Sequence, residues 1–274
     1  MKKSIIGLLV MVMIVAGLFT GCGTKEDTVK DNGANNTDTQ NNNDTDSKDD
    51  TAAQNDTLIV GTEAGFAPYE YLEGDKVVGV DMDIAQAIAD HLGKKLEIKN
   101  MDFDGALLAV QQGSIDLVAA GVSVDAERAK VMDFSNDYVN STEVVIVNKD
   151  NPMVTSIEDL DDKIIGVQQG NIADFWVEDN IKAKNIKRYT KFVQAADDLK
   201  NSKIDCIVMD QYPAQEMVAA NPELTILDGT LFEDKYAIAV KKGNQELLDE
   251  INTVITKLKD EGKIEEFYSK HTGK

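Results

Sequence analysis

Arg128 stands in the segment AAGVSVDAERAKVMDFS (119–135), just past an apolar run that ends in small residues and a Gly-Val-Ser step. An arginine placed there has two uses. It can form a surface ion pair with Asp125 or Glu127, which contributes little to stability. Or its guanidinium can hold an anion brought to the end of a buried strand. Other residue types narrow the chemistry. The two histidines, His91 and His271, fall in what read as a surface helix and a tail, so no Ser-His-Asp arrangement is visible. The two cysteines, Cys22 and Cys206, do not make a paired-cysteine metal site. No metal or cofactor is expected.

The elements that would position Arg128 alternate between strands and helices. TLIVGT (57–62) is an apolar strand. VDMDIAQAIADHLG follows with Ile84, Ile88 and Leu92 four apart, Asp81 as a candidate cap and Gly93 as a stop, the pattern of an amphipathic helix. KLEIKN (95–100) is a strand, DGALLAVQQG a short helix ending at Gly113, and SIDLVAAG (114–121) a buried strand. TEVVIVNK (142–149), KIIGV (163–167), IKRYTK and KIDCIVMD add strands, separated after KIIGV by helices through IADFWVEDNI and VQAADDLKN. ELTILD and DKYAIAVKKG (234–243) precede two closing helices, 245–260 and 264–270. Repeated βα units predict an α/β fold.

The chain repeats itself weakly. SIDLVAAG and KIDCIVMD each follow a helix and a polar turn, and counting six residues from Ile115 and from Ile204 reaches Gly121 and Asp210. Five from Leu58 and from Ile164 reaches Glu63 and Gln169. These four positions lie at the carboxyl ends of strands, where open α/β sheets meet their ligands. Two facing halves would bring them to one cleft.

The N-terminus is a different material. Lys2 and Lys3 precede an apolar run, 5–19, too short for a membrane span, and a small-residue site at Cys22. This resembles a bacterial lipobox, with Phe19 at the place usually held by leucine, and implies a signal peptide over 1–22 and a lipidated Cys22. Residues 23–56 hold almost no large apolar side chain and set Lys25, Lys30 and Lys48 against Glu26 and eight aspartates. Such a segment is expected to be a disordered acidic tether of about 30 Å mean span. Cys206 lies in a run that reads as a buried strand, where a thiol behaves as a small apolar group. A net charge of −21 argues against nucleic acid as a partner, which needs a basic face.

The segments GTEAGFAPYEY, FDGALLAVQQGSIDLVAAGVSVDAERAKVMDFS, IIGVQQGN and IDCIVMDQYPA, in that order, resemble the amino-acid-binding extracellular solute-binding proteins of ABC importers. The resemblance spans 57–274. It implies a two-lobed type II periplasmic-binding fold with a two-strand hinge: a first lobe over 57–143, a second over 144–235 and a return to the first over 236–274. The crossings are expected near 138–144 and 233–236. It assigns Arg128 to the ligand's α-carboxylate, helped by the hydroxyl and N–H of Ser123 and the N–H of Asn171, where the family commonly has Thr or Ser. Gly121, through its carbonyl, and Asp210 fall to the α-ammonium; the alternative use of Asp210 is as a helix cap for QYPAQEMVA, and both roles can hold. Phe66 and Phe103 would sandwich the ligand side chain, unless they are core residues. Glu63 would read its distal group, with Asp174 as a helper or simply a helix-start charge. An acid beside an aromatic ring favours a cationic side chain, with glutamine close behind. The implied partners are a free amino acid, ABC permease subunits and, through the lipid, the outer face of the cytoplasmic membrane; the protein is expected to be a monomer. Two alternatives share the fold: a dehydratase of cyclic aromatic-amino-acid precursors, with Glu63 as its acid, and a sensory domain.

Overall fold

A computed structural model describes residues 56–273. The expected signal peptide, the lipidated Cys22 and the tether up to 55 lie outside the described residues. In chain order the elements are β1 (Thr57–Thr62), β2 (Tyr71–Glu73), β3 (Lys76–Val78), α1 (Val80–His91), β4 (Lys95–Asn100), α2 (Phe103–Gln112), β5 (Leu117–Val118), α3 (Arg128–Val131), β6 (Met132–Phe134) and β7 (Val139–Asn148). Then come β8 (Ile164–Gln168), α4 (Ile172–Asn180), β9 (Asn185–Tyr189), α5 (Phe192–Lys200), β10 (Cys206–Asp210), α6 (Gln211–Ala220), β11 (Leu224–Ile226), β12 (Phe232–Tyr236), β13 (Ala239–Lys241), α7 (Gln245–Asp260) and α8 (Lys263–Thr272).

Two sheets divide these strands. One runs β4-β1-β5-β13-β6 and the other β11-β7-β10-β8-β9, with β12 also on β7. Each has a parallel βαβ core: β1 pairs in parallel with β4 and β5, and β8 with β9 and β10. Each therefore carries its helices on its faces and buries apolar residues on both. Leu107, Val110 and Val118 pack in one lobe, and Val145, Val167, Cys206 and Val208 in the other. Cys206 is a buried free thiol, pushed up by burial.

Four expectations need correction. SIDLVAAG is not a strand throughout: only Leu117 and Val118 join the ladder, and the chain then turns at Gly121 toward the cleft. DKYAIAVKKG is two strands, not one. β12 pairs with β7 in the second sheet and β13 with β5 and β6 in the first, so the chain changes sheets at Ala237–Ile238. Asp81 does not cap α1, whose N-cap is Gly79; Asp81 is buried inside the first turn. His271 is not a loose tail residue: its ring contacts the Tyr71 hydroxyl (3.1 Å) and the Asp83 carboxylate (2.9 Å).

The chain changes sheets twice, at 135–138 and 237–238, and the two crossings hydrogen-bond to each other. Tyr138 N donates to Tyr236 O (2.9 Å) and Ser135 N to Ile238 O (2.9 Å). The two sheets are thus joined by a paired antiparallel ribbon.

Candidate functional site

Between the sheets lies a small cavity of about 10 Å³, lined among others by Glu63, Phe66, Phe103, Gly121, Ser123, Asn171 and Asp210. The structure thus brings together seven of the eight residues that the resemblance assigns to the ligand, the optional helper Asp174 aside. The eighth, Arg128, sits against the wall. A larger groove of about 740 Å³ opens on its other side, beside Phe175 and Trp176. That groove contains neither Glu63 nor Asp210; those two acids meet at the smaller cavity.

Arg128 begins α3 and is only 6% exposed. Its two terminal nitrogens donate to the main-chain carbonyls of Ser123 (2.7 Å) and Gly170 (2.7 Å), the second across the cleft. Nε lies 3.2 Å from the Asp125 carboxylate, a charge contact without hydrogen-bond alignment. The ion pair with Asp125 is therefore real, but it is not on the surface. The Phe103 and Phe175 rings flank the guanidinium, at 5.6 and 5.8 Å. This is a cation held between lobes by neutral carbonyls. A carboxylate offers it stronger, charge-assisted bonds.

The polar wall near the hinge is acidic. Asp210 ends β10 and occupies the N-cap of α6, yet its side chain makes no cap bond there. It accepts the Tyr236 hydroxyl instead. Carboxylate oxygens of Glu143, Asp210 and Asp234 lie within 4.8 Å of one another. Asp234 accepts the Ser123 hydroxyl (2.5 Å). Glu143 is wholly buried and neither of its oxygens meets an N–H or hydroxyl donor. Burial holds Glu143 well above the usual carboxylate range and raises Asp210 too. A proton on Glu143, directed at Asp210, resolves the clash of two buried anions.

Behind Gly121 stands a further pair. Asp81 accepts the Gly121 N–H (2.9 Å) and the Tyr138 hydroxyl (2.7 Å). Burial pushes Asp81 up to about 6 and the neighbouring Glu70, which lines the cavity, well above its usual range. Gly121 has φ +54, and a Cβ there would come within 2.9 Å of the Phe66 ring. Its missing side chain lets that ring approach the backbone. Phe66 itself stacks on Phe192 of the second lobe, with ring centroids 6.1 Å apart.

At the other end, Glu63 follows β1 and is 2% exposed. It accepts from Gln168 Nε2 (3.1 Å) and faces Lys191 Nζ at 3.5 Å. Burial raises its pKa, and Lys191 and Gln168 oppose that rise. Asn171 is the N-cap of α4, and its side chain accepts the Asp174 N–H (2.9 Å). Asp174 does not line the cavity: it accepts from Gly170 N (3.0 Å) and Arg188 Nε (3.0 Å), so the helix-start role holds. Gln168, not Gln169, lines the cavity, because one residue along a strand end reverses the face. Gln169 reaches Asp104 across the cleft instead (2.7 Å).

The sequence reading missed Glu70, Gln168, Glu143, Asp234 and Lys191. Only Glu143 carried a usable signal: it is in phase with Val145 and Val147 in TEVVIVNK, an acid on a buried face.

The family model of the bacterial extracellular solute-binding proteins, family 3, matches residues 58–274. The arginine-binding extracellular protein ArtP of Bacillus subtilis is 32% identical over 221 residues, covering 78% of this chain and 85% of that one. Among solved structures, an ancestral arginine-binding protein bound to arginine is 39% identical with a TM-score of 0.74, covering 79% of this chain and 98% of that one. An ancestral arginine-binding protein bound to glutamine is 39% identical with a TM-score of 0.75, covering 80% and 99%.

Proposed function

Because the chain belongs to the bacterial extracellular solute-binding proteins, family 3, we propose that it captures a free amino acid between its lobes and delivers it to an ABC permease. The observation that carries this is the convergence of Glu63, Ser123, Asn171 and Asp210 on one interlobe cavity, with the buried Arg128 guanidinium bonded to the Ser123 carbonyl at its wall. Arg128 and Ser123 would take the α-carboxylate, with the Asn171 N–H at the start of α4, where an anion is favoured. Asp210 and the Gly121 carbonyl would take the α-ammonium. Phe66 and Phe103 would hold the side chain, and Glu63 would accept from its far end. A buried carboxylate can accept from a guanidinium, an ammonium or an amide, the charged donors giving the stronger bonds in isolation, so the ligand is a cationic or amide amino acid. The ArtP relative and the two ancestral structures carry names and ligands of that kind. The paired ribbon at 135–138 and 237–238 would act as the hinge between the lobes; since β7 and β12 lie wholly in the second sheet, the first boundary falls before the expected 143/144 and the second after 235/236. Closure would change the surface offered to the permease. The protein acts by binding rather than by catalysis, as a monomer. Lipidation at Cys22, with 23–56 as tether, would hold it at the extracellular face of the membrane.

Calorimetric titration with the twenty amino acids, ornithine and cystine tests this, after unfolding and refolding to strip carried-over ligand. A cationic or amide amino acid should bind with micromolar affinity or better, about −8 kcal/mol. Arg128→Ala should abolish that binding, at least about a hundredfold, while the far-ultraviolet spectrum and cooperative unfolding persist. Silence across the panel, or retained affinity in folded Arg128→Ala, would overturn the reading.

A further inference from the structure

Lys191 is the one side-chain cation that meets Glu63 among the described residues, and its position is unusual. It is the N-cap of α5. The positive end of a helix dipole disfavours a cation there. Its countercharge is Glu63, which belongs to the opposite lobe and lies 3.5 Å away. The two partners are unequal. The Glu63 side chain is 2% exposed; that of Lys191 is 39% exposed and reaches in from the rim.

The acceptor capacity of Glu63 is partly used. Oε2 takes the Gln168 amide, while Oε1, nearest Lys191, has no hydrogen bond. The other acids that bear on Glu63 are Asp102, at the N-cap of α2, and Glu70, whose pKa burial raises well above its usual range. One carboxylate therefore already has one ammonium beside it.

A ligand side chain arriving at Oε1 meets that arrangement. An amide N–H completes the carboxylate and leaves Lys191 in place. A guanidinium or ammonium sets a second cation beside the first, with a single carboxylate between them. Either the like charges stay close or Lys191 must leave for solvent. Both outcomes weaken cationic ligands relative to amides.

We infer that Lys191 is a specificity-determining residue, a resident counter-cation of Glu63 that weights the site toward amide side chains and against cationic ones. The inference rests on the amino-acid reading above and names which ligands that site prefers.

The test compares arginine and glutamine by calorimetry in the wild-type protein, Lys191→Met and Lys191→Arg. Methionine keeps the apolar stem and drops the charge. The ratio Kd(Arg)/Kd(Gln) should fall about tenfold in Lys191→Met, chiefly through tighter arginine binding, and stay within about twofold of wild type in Lys191→Arg. Should only one of the two bind measurably, the same effect is read on it alone: tighter arginine, or glutamine changed by less than about threefold. An unchanged ratio in Lys191→Met, or unchanged arginine affinity where arginine alone binds, would overturn the inference and leave the receptor reading intact. Failure of the wild type to bind any amino acid would instead overturn the receptor reading and this inference with it.

Discussion

The cleft has two buried carboxylates at its two ends, and their surroundings differ in sign. Glu63, 2% exposed, faces an amide and a lysine from the opposite lobe. Asp210, 4% exposed, faces Glu143 and Asp234, with the Tyr236 hydroxyl and no cation beside it. One acid has a resident cation; the other is crowded by its own kind. An acid of the second sort needs positive charge from outside, as a proton or as a ligand's ammonium. The distal end of the site can thus be adjusted by a neighbour, whereas the proximal end is set by its need for a cation.

The largest test of that contrast removes one charge at each end. Asp210→Asn should raise Kd about a hundredfold, because the ammonium loses its buried counter-ion. Glu63→Gln should cost about tenfold or less for an amide ligand, since a neutral acceptor remains. Calorimetry with the ligand found in the panel measures both. Equal losses would erase the distinction between the ends.

Proton linkage sharpens it next. Burial, reinforced by Asp234 and opposed by the bonds from Tyr236 and Glu143, pushes Asp210 up to about 7. Ammonium binding favours the ionised form, so affinity should fall by up to about tenfold per pH unit below that value and level off above it. Binding near neutrality should release protons, seen as an enthalpy that varies with the buffer's ionisation heat. Without added ligand the sign reverses. The folded-state value lies above the ordinary 3.8, so this contribution to stability is fully present below that pH and is lost as pH rises through about 7. Asp81, pushed up to about 6, adds to the same loss. Asp234→Asn removes the charge that reinforces the rise and should move both dependences to lower pH. A Kd independent of pH between 5 and 8 would mean that Asp210 does not meet the ammonium.

The elements of this fold were legible because they are periodic. α7 runs from Gln245 to Asp260, where its spacing places it, and the alternating βα units point to two α/β halves. The site residues at strand ends were legible too, since a strand end is a position in a pattern. What could not be read were contacts made by chance of folding between distant segments. Lys191 meets Glu63 only because β1 and α5 face each other across the cleft. Glu70 sits in an aperiodic turn, where Phe66 N donates to its carbonyl (2.8 Å). Asp81 was misread for another reason. It stands three residues before Ile84, on the face of α1 that packs inward, and an acid at a helix start was taken for a cap. The break between β12 and β13 was invisible because Tyr236–Val240 is apolar throughout, and no local signal tells one buried sheet from another.

The smallest expected effects concern the glycines that shape the two ends. Gly65 lies against Glu63, and a Cβ there would stand 2.9 Å from Oε1, a flexible carboxylate that can rotate away. Gly121 lies against Phe66, a ring fixed by Phe192 and Tyr236, and its φ of +54 strains any other residue. Gly121→Ala should therefore destabilise the protein by about 1–3 kcal/mol, combining left-handed strain with overpacking. Gly65→Ala should cost about 1 kcal/mol or less in stability, and instead alter selectivity by turning Glu63 away from the ligand's far end. Thermal unfolding and the arginine-to-glutamine ratio separate the two outcomes. If Gly65→Ala proves the more destabilising, then Glu63 is the more rigidly held of the two ends, and the distal acid is a structural anchor that Lys191 cannot tune.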